Sequence, residues 1–263
     1  MMDKDDPRHA AELLEIRHTE WLVALSSGRL LEALDVARQI NAHDLLGMHP
    51  YRPAAKLVPP LVLLGRFDEA LALAEPLWQA WRRSGAPAAT LISPAASCIA
   101  LVHGLRSDEA ARHIWEHRAR KALGALDVGL RKYHAPFAGL VALRLAIHRG
   151  GPVPYLAATE VPSSLLSISE YIGAAAAELA DVAGAPNAAD RLRRSARDNP
   201  WANACVTRAR GRLDADPLLL MEAVGQWDSL GARFERASTL MLTPEREEGL
   251  AELRALGVAV PGA

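Results

Sequence analysis

Residues 65–71 read Gly-Arg-Phe-Asp-Glu-Ala-Leu, and this stretch indicates how the whole chain folds. Residues 28–34 read Gly-Arg-Leu-Leu-Glu-Ala-Leu, and residues 104–111 give a version that is one residue longer, Gly-Leu-Arg-Ser-Asp-Glu-Ala-Ala. The shared alanine recurs after 37 residues (70 − 33) and then after 40 residues (110 − 70). A period of this length fits one helical hairpin per repeat, because glycine permits a tight turn and alanine lets two helices pack closely. The sequence therefore predicts a stack of helical hairpins.

The composition favours helices throughout the chain. Half of the 263 residues are hydrophobic, alanine and leucine dominate, and β-branched residues are few. Apolar residues recur at spacings of three, four and seven positions, which is typical of amphipathic helices. A short run at residues 258–260 is typical of a strand, but no second run could pair with it. We therefore predict an all-α fold, a right-handed α-solenoid of about seven antiparallel helix pairs that forms one helical-repeat domain over residues 1–263.

Glycine and proline residues mark the predicted helix ends. Pro59 and Pro60 fall inside an apolar segment, so we expect the helix to kink or restart there. Thr243 is a predicted N-cap, with Pro244 at the first helical position. The second helices of the pairs are expected at residues 28–41, 66–82, 107–123, 152–160, 186–197, 215–230 and 244–256.

Charge and cysteine content bear on the class of protein. The 30 basic and 31 acidic side chains give a formal net charge of −1, so the chain has no general attraction to nucleic acid or to anionic membranes. Cys98 and Cys205 have no CxxC partner and lie in apolar stretches, so we interpret both as core residues. The chain starts without the apolar stretch of a signal peptide, and no apolar run is long enough to span a bilayer. We expect a cytoplasmic protein that does not bind membranes.

The repeat at residues 65–71 resembles the core of a tetratricopeptide repeat, in which glycine, an aromatic residue and alanine occupy fixed offsets around the turn. Residues 208–213 (Arg-Ala-Arg-Gly-Arg-Leu) and 230–237 (Leu-Gly-Ala-Arg-Phe-Glu-Arg-Ala) are similar to the last helical repeats of large actinobacterial transcription regulators of the LuxR-type and MalT-like class. Those regulators carry a GxxxxGK[ST] phosphate loop and a helix-turn-helix, and this sequence shows neither. The resemblance implies a sensor or interaction region that does not itself use ATP or read DNA.

The resemblance also implies where a ligand binds. In tetratricopeptide arrays the first helices line a concave groove, which takes a peptide, a partner protein or a small effector. We therefore expect a non-enzymatic binding protein that uses no cofactor. Its basic groove is expected to accept an acidic peptide or a small anionic effector. The predicted groove residues, chosen by helix position alone, are Arg17, Lys56, His103, Arg144, His148 and Arg208.

Two other functions remain open. An enzyme could use His103, His113 or His148 for acid–base chemistry, and it would need a deep, closed pocket around one of them. A self-associating scaffold, such as a homodimer, would expose an apolar patch at a terminal repeat, and residues 256–261 are the place to look for it. No serine or cysteine has the sequence setting of an activated nucleophile, so we predict no catalytic residue.

Metal and nucleic acid binding find little support. His113 and His117 lie four residues apart and could supply two metal ligands, but the pattern lacks a third, so we interpret them as surface or groove histidines. The basic runs at residues 191–197 and 208–212 lack interleaved aromatic residues, which argues against direct nucleic acid binding. Aromatic residues at helical spacing are interpreted as core, namely Trp78, Trp81, Trp115, Trp201 and Trp227.

Overall fold

The computed structural model describes residues 7–42, 50–127, 136–149, 178 and 198–260. These residues form eleven α-helices and no strand, which confirms the all-α prediction. The helices are α1 (Pro7–Ser26), α2 (Leu30–Ala42), α3 (Arg52–Leu63), α4 (Phe67–Arg83), α5 (Ile92–Leu105), α6 (Glu109–Gly124), α7 (Pro136–Arg149), α8 (Pro200–Leu213), α9 (Pro217–Leu230), α10 (Arg233–Leu240) and α11 (Arg246–Ala255).

Five of the seven predicted second helices begin within two residues of the predicted position, as α2, α4, α6, α9 and α11. The predicted helices at residues 152–160 and 186–197 lie outside the described residues. The predicted N-cap Thr243 accepts a hydrogen bond from the Glu245 N–H at 3.2 Å, but α11 begins at Arg246, two residues after the predicted start at Pro244. Helix ends shift by this much when a turn precedes the first full helical hydrogen bond.

The first three hairpin turns share one backbone geometry. Gly28 and Gly65 adopt φ values of 74° and 75°, and a new helix begins two residues after each. In both turns the glycine N–H donates to the carbonyl three residues back, and the next N–H donates to the carbonyl five residues back, which is the Schellman arrangement. Ser107 takes this place in the third turn, with a φ of 58°. The alignment of Gly104 with the two earlier glycines is therefore wrong by three residues, and Gly104 lies inside α5.

Helix α3 continues through Pro59 and Pro60, so the predicted restart is wrong. Proline has no N–H, and Pro60 therefore leaves the carbonyl of Lys56, four residues earlier, without its helical partner. The indole Nε1 of Trp21 in α1 donates to that carbonyl at 3.1 Å. A side chain from another helix thus replaces the missing hydrogen bond, which explains how the prolines are tolerated.

The core is built mainly from alanine, leucine and tryptophan side chains. Cys98 and Cys205 are free and buried, which confirms their interpretation as core residues, and burial raises the pKa of the Cys98 thiol to about 12. No helix among the described residues is long and apolar enough to cross a membrane. The five tryptophans predicted to be core are all buried: Trp78, Trp81, Trp115, Trp201 and Trp227.

The last third of the described chain, residues 198–260, lies against the turns of the amino-terminal hairpins. The approach is close, because a Cβ atom placed on Gly65 would lie 2.8 Å from the backbone nitrogen of Phe234. This close packing requires glycine in the second turn in addition to the positive φ. Each turn has a hydrogen bond to this part of the chain, from Asn199 Nδ2 to the Ser26 carbonyl (3.0 Å), from the Arg233 N–H to the Leu64 carbonyl (3.2 Å) and from the Ala259 N–H to the Leu105 carbonyl (2.8 Å). At the third turn Arg106 also donates to the Leu256 carbonyl.

Candidate functional site

A cavity of about 530 Å³ lies between α5, α6 and α7. This volume falls within the range of roughly 300–1,000 Å³ that is typical of small-molecule sites. Each helix contributes residues three, four or seven positions apart, so one face of each helix forms one wall. The walls are largely apolar, and they include Ala100, Ala119, Leu123, Val141 and Leu145.

Beside the cavity, near the turn between α5 and α6, helices α5 and α7 approach each other closely at Gly104. A Cβ atom on Gly104 would lie 2.8 Å from both δ-carbons of Leu145 and 2.9 Å from Cδ of Arg112. Arg149 also donates to the carbonyl of Gly104 at 2.6 Å. A larger residue at position 104 would therefore separate the helices and change the shape of the cavity.

Two serine side chains interrupt the apolar wall of α5. Ser93 and Ser97 lie one helical turn apart, both line the cavity, and they are only 3% and 4% exposed. Within the part of the chain that the structure describes, neither hydroxyl has a hydrogen-bond partner. Neither Oγ atom is among the side-chain atoms that are sealed from solvent without a partner, so both hydroxyls are accessible from the cavity. These hydroxyls are therefore positioned to bond to a molecule inside the cavity.

Three arginines and one glutamate also line the cavity. Arg112 forms ion pairs with Glu109, at 2.7 Å, and with Glu116, and Arg149 pairs with Glu109 at 2.5 Å. The two positive charges of Arg112 and Arg149 therefore cancel the two negative charges of Glu109 and Glu116. Arg120 is exposed and has no ion-pair or hydrogen-bond partner among the described residues. Its guanidinium is therefore free to meet an anion at the cavity.

A second polar site lies in the core, and it contains two of the predicted groove residues. Arg208 Nη2 lies 2.8 Å from carboxylate oxygens of both Glu178 and Glu235. Arg144 Nη1 lies 3.2 Å from Glu178, and Arg144 Nη2 pairs with Glu235. All four residues are at most 4% exposed. We call Arg144, Glu178, Arg208 and Glu235 the buried charge cluster.

The charges in the buried charge cluster balance each other. Burial alone would raise the pKa of Glu178, but the positive charges of Arg208 and Arg144 outweigh burial and hold this pKa below its ordinary value. Arg208 Nη1 also donates to the Thr239 hydroxyl at 3.1 Å. The cluster joins α7, α8 and α10 through matched charges, so its geometry suits a structural role. Ligand binding by Arg144 and Arg208 stays a prediction.

The other predicted cations of the groove occupy separate places. Arg17 is exposed on α1 and pairs with Glu20 at 2.7 Å. Lys56 is 5% exposed on α3, where burial and then the charge of Arg52 lower its pKa to about 8. The structure does not bring these two side chains to the cavity.

The predicted histidines also lie outside the cavity. His103 Nδ1 lies 3.4 Å from the carboxylate of Asp108, and burial lowers the pKa of His103 despite that charge. His148 Nε2 lies 2.8 Å from the carbonyl of Ala259, and burial likewise lowers its pKa. Among the described residues that line the cavity there is no histidine, so this cavity is not the pocket that the enzyme alternative needs around His103 or His148.

The remaining alternatives concern the surface. His113 and His117 are exposed, and His113 Nδ1 lies 3.4 Å from Glu116. In the described part of the chain, no group of three or more His, Cys, Asp or Glu residues is placed to hold a metal ion. Leu256 and Val258 are buried within the chain itself, so these two side chains do not form the exposed patch that the scaffold alternative requires.

Sequence reasoning missed the cavity, although one signal was present. Ser93 and Ser97 are four residues apart in a helix that is otherwise almost wholly apolar. Two polar residues on one face of a buried helix need either partners or a cavity.

Comparison with protein-family models, with curated proteins and with solved structures finds no match to this chain.

Proposed function

We propose that this chain is a non-enzymatic helical-repeat binding protein, a regulatory sensor or interaction module that takes a small effector in the cavity between α5, α6 and α7. The cavity itself is the observation that carries this proposal. It combines a volume of about 530 Å³ with apolar walls, the hydroxyls of two serines, and a guanidinium that has no partner in the part of the chain that the structure describes. A mostly apolar cavity with a few polar groups is the usual form of a small-molecule site.

A small effector suits the cavity better than a peptide or a partner protein does. An extended peptide needs a long groove with backbone or side-chain partners along it, whereas this cavity lies within the faces of three helices. Binding also suits it better than catalysis, since the described lining contains no histidine and the two serines have no adjacent base.

We also propose that the hairpins belong to a right-handed solenoid of about seven helix pairs, of the tetratricopeptide kind found in LuxR-type and MalT-like regulators. The repeated turn geometry at Gly28, Gly65 and Ser107 supports this arrangement. In such a regulator the effector would change the packing of one hairpin on the next, which is a route from a small ligand to a partner protein.

The test measures binding of a fluorescent probe to the wild-type chain and to variants in which a larger side chain fills the cavity. The probe is N-phenyl-1-naphthylamine, a neutral apolar molecule whose fluorescence rises when it leaves water. We expect the purified chain to bind it, and we expect Ala142→Phe and Ala146→Phe to abolish binding, because both alanines line the cavity. Ala110→Phe on the exposed side of α6 is the matched control and should bind normally.

Helicity measured by circular dichroism shows whether each variant folds. If one of the two cavity-filling variants does not fold, the other still tests the proposal. Native mass spectrometry of the purified chain then identifies any small molecule that copurifies. Unchanged probe binding in both folded filling variants, or no binding by the wild-type chain, would overturn the proposed function.

A further inference from the structure

We infer that the ligand of this cavity is an anionic amphiphile, with an apolar body between α5, α6 and α7 and an oxyanion head that binds Arg120 and Ser93. The inference rests on the proposed function, and it adds the chemical class of the ligand and its orientation. A carboxylate, a sulfonate and a phosphate monoester share the chemistry of such a head.

Arg120 and Ser93 lie at the same end of the cavity. Helices α5 and α6 are antiparallel across the turn at Ser107. Ser93 lies 14 residues before that turn residue (107 − 93), and Arg120 lies 13 residues after it (120 − 107). Because both helices rise by the same distance per residue, Ser93 and Arg120 lie at the same level, away from the turn.

The second step is the charge at the other end. Near the turn, Arg112 and Arg149 are matched by Glu109 and Glu116. The charges at that end cancel, and α5 and α7 pack closely there at Gly104. Arg120 is therefore the charge that decides which way a ligand lies, with its anionic group at the Arg120 end.

The third step is the hydrogen bonding at that end. Ser93 is 3% exposed, lines the cavity and has no hydrogen-bond partner for its hydroxyl among the described residues. A hydroxyl donates to an oxyanion, and a guanidinium donates to the same group through its N–H bonds. Helix α5 begins at Ile92 with no side chain capping its first turn, so the positive end of the helix dipole at this level also favours an anion.

The fourth step is the body of the ligand. Between the two ends the lining is mostly alanine, valine and leucine. Halfway along, Ser97 supplies one hydroxyl, and Glu116 lies at the same level with its charge paired to Arg112. An apolar body fits these walls, and a single ether, hydroxyl or carbonyl oxygen on that body would satisfy Ser97. A fully polar anion, such as inorganic phosphate, would leave the apolar walls against water and should bind weakly.

The test compares two probes of nearly the same shape. 8-Anilinonaphthalene-1-sulfonate carries a sulfonate, and N-phenyl-1-naphthylamine has the same ring system without charge. Fluorescence titrations of the full chain at low ionic strength should show tighter binding of the sulfonate. Arg120→Gln should weaken sulfonate binding roughly tenfold, which corresponds to the loss of one charge-assisted contact, and should leave binding of the neutral probe unchanged.

Lys121→Gln is the matched control, because Lys121 is the exposed neighbour of Arg120, carries the same charge and does not line the cavity. We expect it to change neither affinity. Ser93→Ala should weaken the sulfonate severalfold and spare the neutral probe.

The outcomes separate the two proposals. Equal weakening of sulfonate binding by Arg120→Gln and Lys121→Gln would show general surface attraction and overturn the inference. Cavity-dependent binding of the neutral probe together with a sulfonate affinity that Arg120→Gln leaves unchanged would overturn the inference and keep the proposed function. Failure of both probes to bind would overturn both.

Discussion

The buried charge cluster and the cavity are two polar sites within one helical protein, and they differ in how their polar groups are matched. In the cluster, two guanidinium groups meet two carboxylates, and the Thr239 hydroxyl accepts a further N–H of Arg208. Nε of Arg144 is buried there without a hydrogen-bond partner among the described residues, but the charges balance. In the cavity, two hydroxyls and one guanidinium have no partner within the described residues. Because a buried charge is costly unless an opposite charge balances it, the balanced charges of the cluster indicate a structural role. The unpaired charge of Arg120 and the two hydroxyls that face the cavity indicate binding. The comparison makes three predictions about stability.

The largest effect is expected for Arg208→Met. This change leaves the carboxylates of Glu178 and Glu235 to share the single charge of Arg144 in the core. We expect the free energy of unfolding to fall by about 3–5 kcal/mol, measured by urea denaturation. Arg83→Met, at an exposed position at the end of α4, should change it by less than about 0.5 kcal/mol. A loss below about 1 kcal/mol for Arg208→Met would show that the cluster does not hold the fold.

The cluster should also make stability depend on pH, whereas the serines of the cavity should not. The pKa of Glu178 is lower in the folded chain than its ordinary value of 4.5, so the unfolded chain takes up this proton first. The stabilisation by Glu178 is therefore fully present above about pH 4.5 and is lost as the pH falls through the lower folded-state pKa.

Urea denaturation at a series of pH values tests this dependence. The unfolding free energy of wild type should exceed that of Glu178→Gln at neutral pH, and the difference should shrink as the pH falls below about 4.5. A difference that stays constant down to about pH 3 would assign the loss to packing rather than to charge.

The smallest effect, and the sharpest comparison, comes from deleting one hydroxyl in each site. Thr239→Val removes the hydroxyl that accepts from Arg208, and should lower the unfolding free energy by about 1–3 kcal/mol. Ser97→Ala removes a hydroxyl without a partner among the described residues, and should change stability by less than about 1 kcal/mol or raise it. Equal losses in thermal or urea unfolding would contradict the contrast between the sites.

The hairpins could be predicted because their signals are local. A glycine with positive φ, followed two residues later by a new helix, occurs at both Gly28 and Gly65. The position of the third turn was predicted wrongly, because Ser107 rather than a glycine adopts the positive φ there. Gly104 serves close packing against Leu145 instead, and sequence alone does not separate these two uses of glycine.

The polar sites could not be placed in the same way. Arg144 and Arg208 were assigned to a groove by helix position, but their partner Glu235 comes from a third helix, α10. Which charges meet depends on how residues 198–260 dock on the earlier helices, and the repeat pattern carries no information on that docking. Ser93 and Ser97 were visible in the sequence, but a cavity exists only once α7 packs beside α5.

The docking of residues 198–260 on the hairpin turns also sets an order of events during synthesis on the ribosome. The hydrogen bond from Asn199 to Ser26 joins residues 173 positions apart, and that from Arg106 to Leu256 joins residues 150 positions apart. At about 5–20 residues per second, the first turn waits roughly 10–35 seconds for its partner to emerge. During that interval the early hairpins are formed but uncovered, so chaperones and proteases would meet this surface in nascent chains and in truncated products, while the finished protein hides it.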